Sequence, residues 1–290
     1  MTTVGSVAPL MPGRAVAAIA ARRYVARFSH LFPTAPVREG LFLGALARHV
    51  LEWLSRTNAP YHDLEHSLAV TEVATIILDG RVHAGEALTS SDWLHATAAA
   101  LLHDIGYVHG VCRDDGPGLA ATAPGQIERM QRGASDAWLG PAHIHRGAIF
   151  VRERLAETPL LDAERLVRAI QFTSFPVPND PAHARADHEP GLMRAADLIG
   201  QLADPGYPRK LPALYAEFVE NGEAARIGYA CADDIWHGFP AFFDSQVAPH
   251  IGPARRYLSL TADGRRWLAG LAHNVARARL DARSRDGTTA

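Results

Sequence analysis

The stretch that most constrains this chain is Ala98-Ala99-Ala100-Leu101-Leu102-His103-Asp104-Ile105-Gly106. An apolar run of this kind reads as a buried helix, and it delivers an imidazole and a carboxylate side by side at its end. A carboxylate taken out of water without a partner is strongly disfavoured, so the surroundings must compensate it. A bound cation is the simplest compensation, because carboxylate oxygen and neutral imidazole nitrogen both suit divalent transition metals. The pair is therefore read as half of a metal site, and the fold must bring the other half to it.

The rest of the chain is compatible with such a core. Its 290 residues allow one large domain or two small ones, and 48% hydrophobic with 21% charged residues is ordinary for a chain that buries a real core. A net charge of −2 gives no basic excess to suggest nucleic acid as a partner. Fifteen histidines are a surplus of the commonest metal ligand. The two cysteines, Cys112 and Cys231, exclude a disulfide framework and a cysteine-rich zinc finger, and they suit a reducing cytoplasm. No apolar run approaches the ~20 residues of a membrane span. The short segment Ala15–Ala21, flanked by Arg14, Arg22 and Arg23, lacks a cleavage site. A cytoplasmic location without a membrane partner is expected.

The periodicity is helical almost throughout, with candidate helices at about 14–30, 38–56, 61–79, 90–105, 124–138, 141–157, 162–174, 190–203, 207–222, 230–248 and 262–282. Thr89-Ser90-Ser91-Asp92 offers N-cap residues and Pro141 fits a first turn. No run alternates apolar and polar residues with β-branched enrichment, so a sheet has little to be built from. Residues 110–125 and 176–190 read as loops. The expectation is an all-α fold: a loose leader at 1–13, one helical domain at 14–283 with its metal-site core at about 58–220, and a tail at 284–290.

Three segments could complete the site. In Tyr61-His62-Asp63-Leu64-Glu65-His66, the two histidines stand four apart and would share one face in the first turn of a helix. Asp197, in Leu192-Met193-Arg194-Ala195-Ala196-Asp197-Leu198, is a carboxylate in an apolar helical run, where the alternative to a ligand is a salt bridge to Arg194. Pro141-Ala142-His143-Ile144-His145 begins an amphipathic stretch, and its histidines are as readily exposed helix-start residues as ligands.

Taken in order, H-x-x-x-H, His-Asp, a histidine-rich helix start and a buried Asp resemble the HD-domain metal-dependent phosphohydrolase superfamily over roughly residues 58–220. Tyr61 to His66 resembles the Y-H-N-x-x-H motif of class I cyclic nucleotide phosphodiesterases, with Asp63 in place of Asn. Ala100 to Asp104 resembles their second metal motif, and Ala196-Asp197-Leu198 their A-D-L. His143 to Ala148 is similar instead to the H-P-x-x-G-A of HD-GYP cyclic-di-GMP phosphodiesterases. The chain departs from H-D-x-x-H, with Tyr107 at the last position and His109 displaced by two. It also carries Gln171-Phe172-Thr173-Ser174-Phe175-Pro176 where Gly-Tyr-Pro would fall.

The resemblance implies a helical bundle around a mono- or dinuclear metal site. His66, His103, Asp104 and Asp197 would hold a first ion (Mn²⁺, Fe²⁺, Zn²⁺ or Mg²⁺), and Asp104 would bridge to a second ion held by His143 or His145. It further implies hydrolysis of a phosphoester of a nucleotide or related small molecule, of the cyclic nucleotide phosphodiesterase kind or on a nucleoside triphosphate or alarmone. His62 would then be the proton donor, with Asp63 or Glu65 orienting an imidazole and Gln201 and Lys210 in contact with substrate. A di-iron oxygenase and a non-catalytic signalling module on the same fold are the other classes it leaves open.

Overall fold

In a computed structural model, which describes residues 12–286, the helical periodicity becomes a chain of helices broken by one hairpin. The order is α1 (Pro12–Leu31), α2 (Val37–Leu54), α3 (Leu64–His83), α4 (Ser90–Leu102), β1 (Leu119–Ala123), β2 (Gln126–Arg129), α5 (His143–Arg154), α6 (Ala163–Gln171) and α7 (Pro181–Ala184). It continues with α8 (Glu189–Leu202), α9 (Tyr207–Glu220), α10 (Glu223–Ile227), α11 (Ala232–Phe242), α12 (Gly252–Ser259) and α13 (Ala262–Asp286). Among the described residues the fold is mostly helical, and no helix is long and apolar enough to cross a membrane. Most of the expected leader (1–11) and the last part of the tail (287–290) lie outside the described residues, while Pro12, Gly13 and residues 284–286 belong to helices.

Local chemistry explains the helix starts around the site. Asp63 accepts from the backbone N–H of Glu65 (2.9 Å) and His66 (3.0 Å), so α3 begins at Leu64 rather than at Tyr61. His62 consequently precedes α3 instead of sharing its first turn with His66. Thr89 and Asp92 form a reciprocal capping box at α4. Helix α3 is buried on nearly every side, packed between α8, α4 and α12. Gly200 permits the α3–α8 approach: a Cβ there would lie 2.9 Å from Val70 Cα. About one turn from that contact stand His66 on α3 and Asp197 on α8.

The hairpin is the main departure from the expected pattern. Residues 124–138 do not form a helix. Leu119–Ala123 pairs antiparallel with Gln126–Arg129 across Pro124-Gly125, and a short 3₁₀ turn at Asp136–Ala142 leads into α5. Its small residues alternate too weakly to signal a strand, since β2 is exposed throughout and β1 is mostly alanine. Tertiary contacts hold it instead. Asp115 accepts from Ala121 N–H (2.9 Å), and the fully buried Arg146 of α5 donates to Ala121 O (2.7 Å). The same guanidinium donates to Gly106 O (2.6 Å), Val108 O (3.0 Å) and both Asp115 carboxylate oxygens (2.9 Å each). The loop that follows His103-Asp104 is thus pinned to the hairpin by one side chain. Helix α12 occupies residues to which no element was assigned, and the 230–248 helix divides into α11 and a wider turn at 243–247.

Gly106 sits where α5 begins. A Cβ on it would lie 2.0 Å from His143 O and 2.9 Å from Gly147 N, both backbone atoms that cannot swing away. Gly106→Ala is therefore expected to destabilise the protein by about 1–3 kcal/mol or more, as overpacking does, and to displace His143. A urea unfolding curve reads the first effect, and a wild-type midpoint would refute it.

Candidate metal centre

Four side chains converge where α3, α4 and α8 meet. His103 follows the last residue of α4, and its Nδ1 is 2.8 Å from Ala100 O, which places the ring proton there and turns a bare Nε2 inward. His66 Nε2, from the first turn of α3, faces it at 3.4 Å. Asp104 Oδ2 lies 3.2 Å from each of these nitrogens, and Asp197 Oδ1 lies 3.5 Å from His66 Nε2 and 3.7 Å from His103 Nε2. His66, His103 and Asp104 are buried, and Asp197 opens to the cavity beside them.

These distances fit ligands around one ion. Four donors held ~2.1 Å from a tetrahedral centre stand ~3.4 Å apart. Two imidazole nitrogens face each other, and Asp104 Oδ2, although close to both, has no aligned hydrogen bond and is buried. A cation among them satisfies all of these atoms together, whereas protons satisfy them only in part. In the metal-free state, burial would push His66 down, but Asp104 and Asp197 outweigh it and hold it up at about 10. Burial would likewise raise Asp104, yet His103 and His66 hold it well below the usual carboxylate range. His66, His103 and Asp197, whose ligand atoms lie within 4.8 Å of one another, could hold a divalent ion.

The ligand atoms of His62, His66 and Asp104 also lie within 4.8 Å of one another. His62 reaches the cluster from the loop before α3. Its Nδ1 is 2.5 Å from Glu217 Oε2, while Glu217 Oε1 accepts from the N–H groups of Tyr61 (2.7 Å) and His62 (3.0 Å). The orienting acid is thus Glu217 of α9, which the sequence reading did not single out. Asp63 caps α3, and Glu65 is exposed and paired with Lys210. The available signal was a carboxylate at 217 on the apolar stripe Leu211, Leu214, Phe218. Burial would raise Glu217, but His62 beside it holds it below its ordinary value.

Tyr107, at the position where the HD motif would place a histidine, stacks between His62 (4.4 Å between ring centroids) and His143 (4.6 Å). His143 Nε2 lies 3.9 Å from Asp104 Oδ1, at the edge of the cluster. His145 is not brought to the site: two residues on from His143, it is rotated ~200° round α5 and is exposed. Gln201 lines the cavity. Lys210 does not, and its ammonium is paired with Asp204 (2.6 Å) and Glu65 (2.8 Å). Arg194 does not pair with Asp197; its contacts lie with the 183–185 segment.

The cluster opens into a cavity of about 710 Å³ between α8, α9, α11 and the 173–177 loop. Its far wall is apolar and aromatic, with Leu214, Phe218, Ile235, Phe239 and Phe242. The arrangement is a helical protein with a largely buried two-histidine, two-aspartate cluster at one pole of the cavity. The chain belongs to the Npun_R2479-like family, whose model matches residues 40–280. No curated protein and no solved structure matches it.

Proposed function

We propose that this protein is a metal-dependent phosphoester hydrolase of the HD type, acting on a nucleotide or related small molecule whose apolar part fills the cavity. The observation that carries the reading is the convergence of His66, His103, Asp104 and Asp197 at ligand spacing, with His62 beside them and a cavity in front. A divalent ion held by these residues would lower the pKa of water toward neutrality and offset charge developing on phosphoryl oxygens. His62 protonates the leaving alkoxide. Glu217 fixes His62 Nδ1, leaving Nε2 as the nitrogen that exchanges a proton with substrate, and Tyr107 holds the ring plane by stacking. The apolar wall excludes water from the remainder of the substrate.

His62→Ala is expected to retain metal while kcat falls by ~10²–10⁴-fold, the usual worth of a general acid. Glu217→Gln should act in the same direction through His62, lowering kcat while leaving metal content unchanged. Steady-state kinetics on Mn²⁺-loaded protein across cyclic mononucleotides, cyclic dinucleotides and nucleoside triphosphates tests both the activity and these effects. Metal loss from His62→Ala would move His62 into the ligand shell, and absence of hydrolysis in every arm would remove the hydrolase reading.

A further inference from the structure

Arg194 is one turn before Asp197 on α8, borders the same cavity, and is only 1% exposed. Its Nη2 donates to His183 O (3.0 Å) and Arg185 O (3.3 Å), but Nε and Nη1 are buried with no hydrogen-bond partner. Phe172 lies against the guanidinium, 5.5 Å from ring centroid to Cζ, and contributes attraction without accepting a conventional hydrogen bond. Burial pushes the guanidinium down from its ordinary value, and no carboxylate opposes this. The buried Nδ1 of His250 also has no partner, and Arg194 adds to the burial that pushes that ring down. Arg194 therefore carries two buried N–H groups that want acceptors. A buried charge without a counter-charge is costly, so this pattern calls for an anion.

The other cations near the cavity are already matched. Arg226 is paired with Glu223, and Lys210 with Asp204 and Glu65. Among the described residues that line the cavity, Arg194 is the cation without an acidic partner. A nucleoside triphosphate, with several charges to neutralise, is poorly served by such a wall, whereas one additional oxyanion is well served.

We propose that Arg194 is the recognition residue for a second oxyanion of the substrate, a carboxylate or phosphoryl group apart from the group hydrolysed at the metal cluster. Arg194 and Asp197 stand three apart on α8 and so leave the same side of the helix toward the one cavity. The substrate class is then a phosphoester with one further acidic group and an apolar body between or beside the two. This assignment of substrate rests on the hydrolase reading; the anion site itself does not.

The test is calorimetric titration of full-length protein, both metal-loaded and chelator-treated, with inorganic phosphate and separately with acetate at constant ionic strength. Wild type is expected to bind at least one of the two saturably in both metal states, phosphate alone marking a phosphoryl site and acetate a carboxylate site. Arg194→Met should weaken that binding roughly tenfold or more, the worth of a charge-assisted hydrogen bond, keep its metal content, and raise KM more than it lowers kcat. Arg194→Gln, which keeps a donor for the loop carbonyls, should lose anion binding equally and guards against a folding defect in the methionine variant. Failure of wild type to bind either anion, or equal binding by a folded variant, overturns the proposal and leaves Arg194 as an anchor for residues 183–185. Anion binding without metal uptake would remove the hydrolase reading and leave this site standing; hydrolysis with an unchanged KM in Arg194→Met would do the reverse.

Discussion

Asp104→Ala is expected to lose bound metal and hydrolysis together, with activity falling by about a thousandfold or more. The magnitude follows from charge stabilisation by an ion being worth several kcal/mol, where each ~1.4 kcal/mol is a factor of ten in rate. Asp104 is the extreme case because its Oδ2 faces both histidine nitrogens at 3.2 Å and its Oδ1 faces His143, so one substitution removes the carboxylate that contacts all three histidines. His103→Ala should behave similarly. Both variants are expected to fold, since the interior around residue 104 is closed by apolar packing of α4 against α3 and α6 and not by the carboxylate. Elemental analysis beside a circular dichroism spectrum separates metal loss from unfolding. A folded Asp104→Ala protein with full metal content would place the ion elsewhere.

The second large effect lies outside the cluster. Asp115→Ala leaves the fully buried Arg146 guanidinium without its counter-charge, and breaking a buried pair in this way costs about 3–5 kcal/mol. Arg146 retains its bonds to Gly106 O, Val108 O and Ala121 O, but these are neutral acceptors. The pair also sets a pH dependence. Burial would raise Asp115, yet Arg146 holds it below its ordinary value. A depressed native pKa contributes stability that is fully present above the unfolded carboxylate pKa, ~3.9, and is lost as pH falls through the native value. Urea midpoints of wild type should therefore drop on acidification below about pH 4, and the component due to this pair should be missing from Asp115→Ala. Equal midpoints for the two proteins at neutral pH would show that hydrogen bonds to the loop carbonyls suffice.

The helices and the residues of the candidate cluster were legible in the sequence for the same reason. A charged or metal-ligating group in an apolar helical run is physically conspicuous, and His103-Asp104 and Asp197 both stand in such runs. His66 was legible through its spacing from His62, although the cap at Asp63 moves His62 off the helix. Glu217, Tyr107 and Arg194 were not read as site residues, because each acquires its role from long-range packing: α9 against the loop before α3, a ring stacked between that loop and the start of α5, and α8 against residues 183–185. The β1–β2 hairpin was missed because alanines carry no strand signal and Arg146 holds the hairpin from a helix more than 20 residues away. His145 and Lys210 were overcalled, one by adjacency to His143 and the other by charge, which the fold neutralises with Asp204 and Glu65.

The central claim is that His66, His103, Asp104 and Asp197 hold a divalent ion that supports phosphoester hydrolysis. Its most direct measurement is elemental analysis of the purified full-length protein, paired with hydrolysis assays after chelation and reloading with Mn²⁺. A stoichiometric first-row metal, or stoichiometric Mn²⁺ uptake by stripped protein, is expected, with hydrolysis that disappears on chelation and returns on reloading. Folded wild-type protein that carries no such metal, takes up no Mn²⁺ and hydrolyses no phosphoester would contradict it.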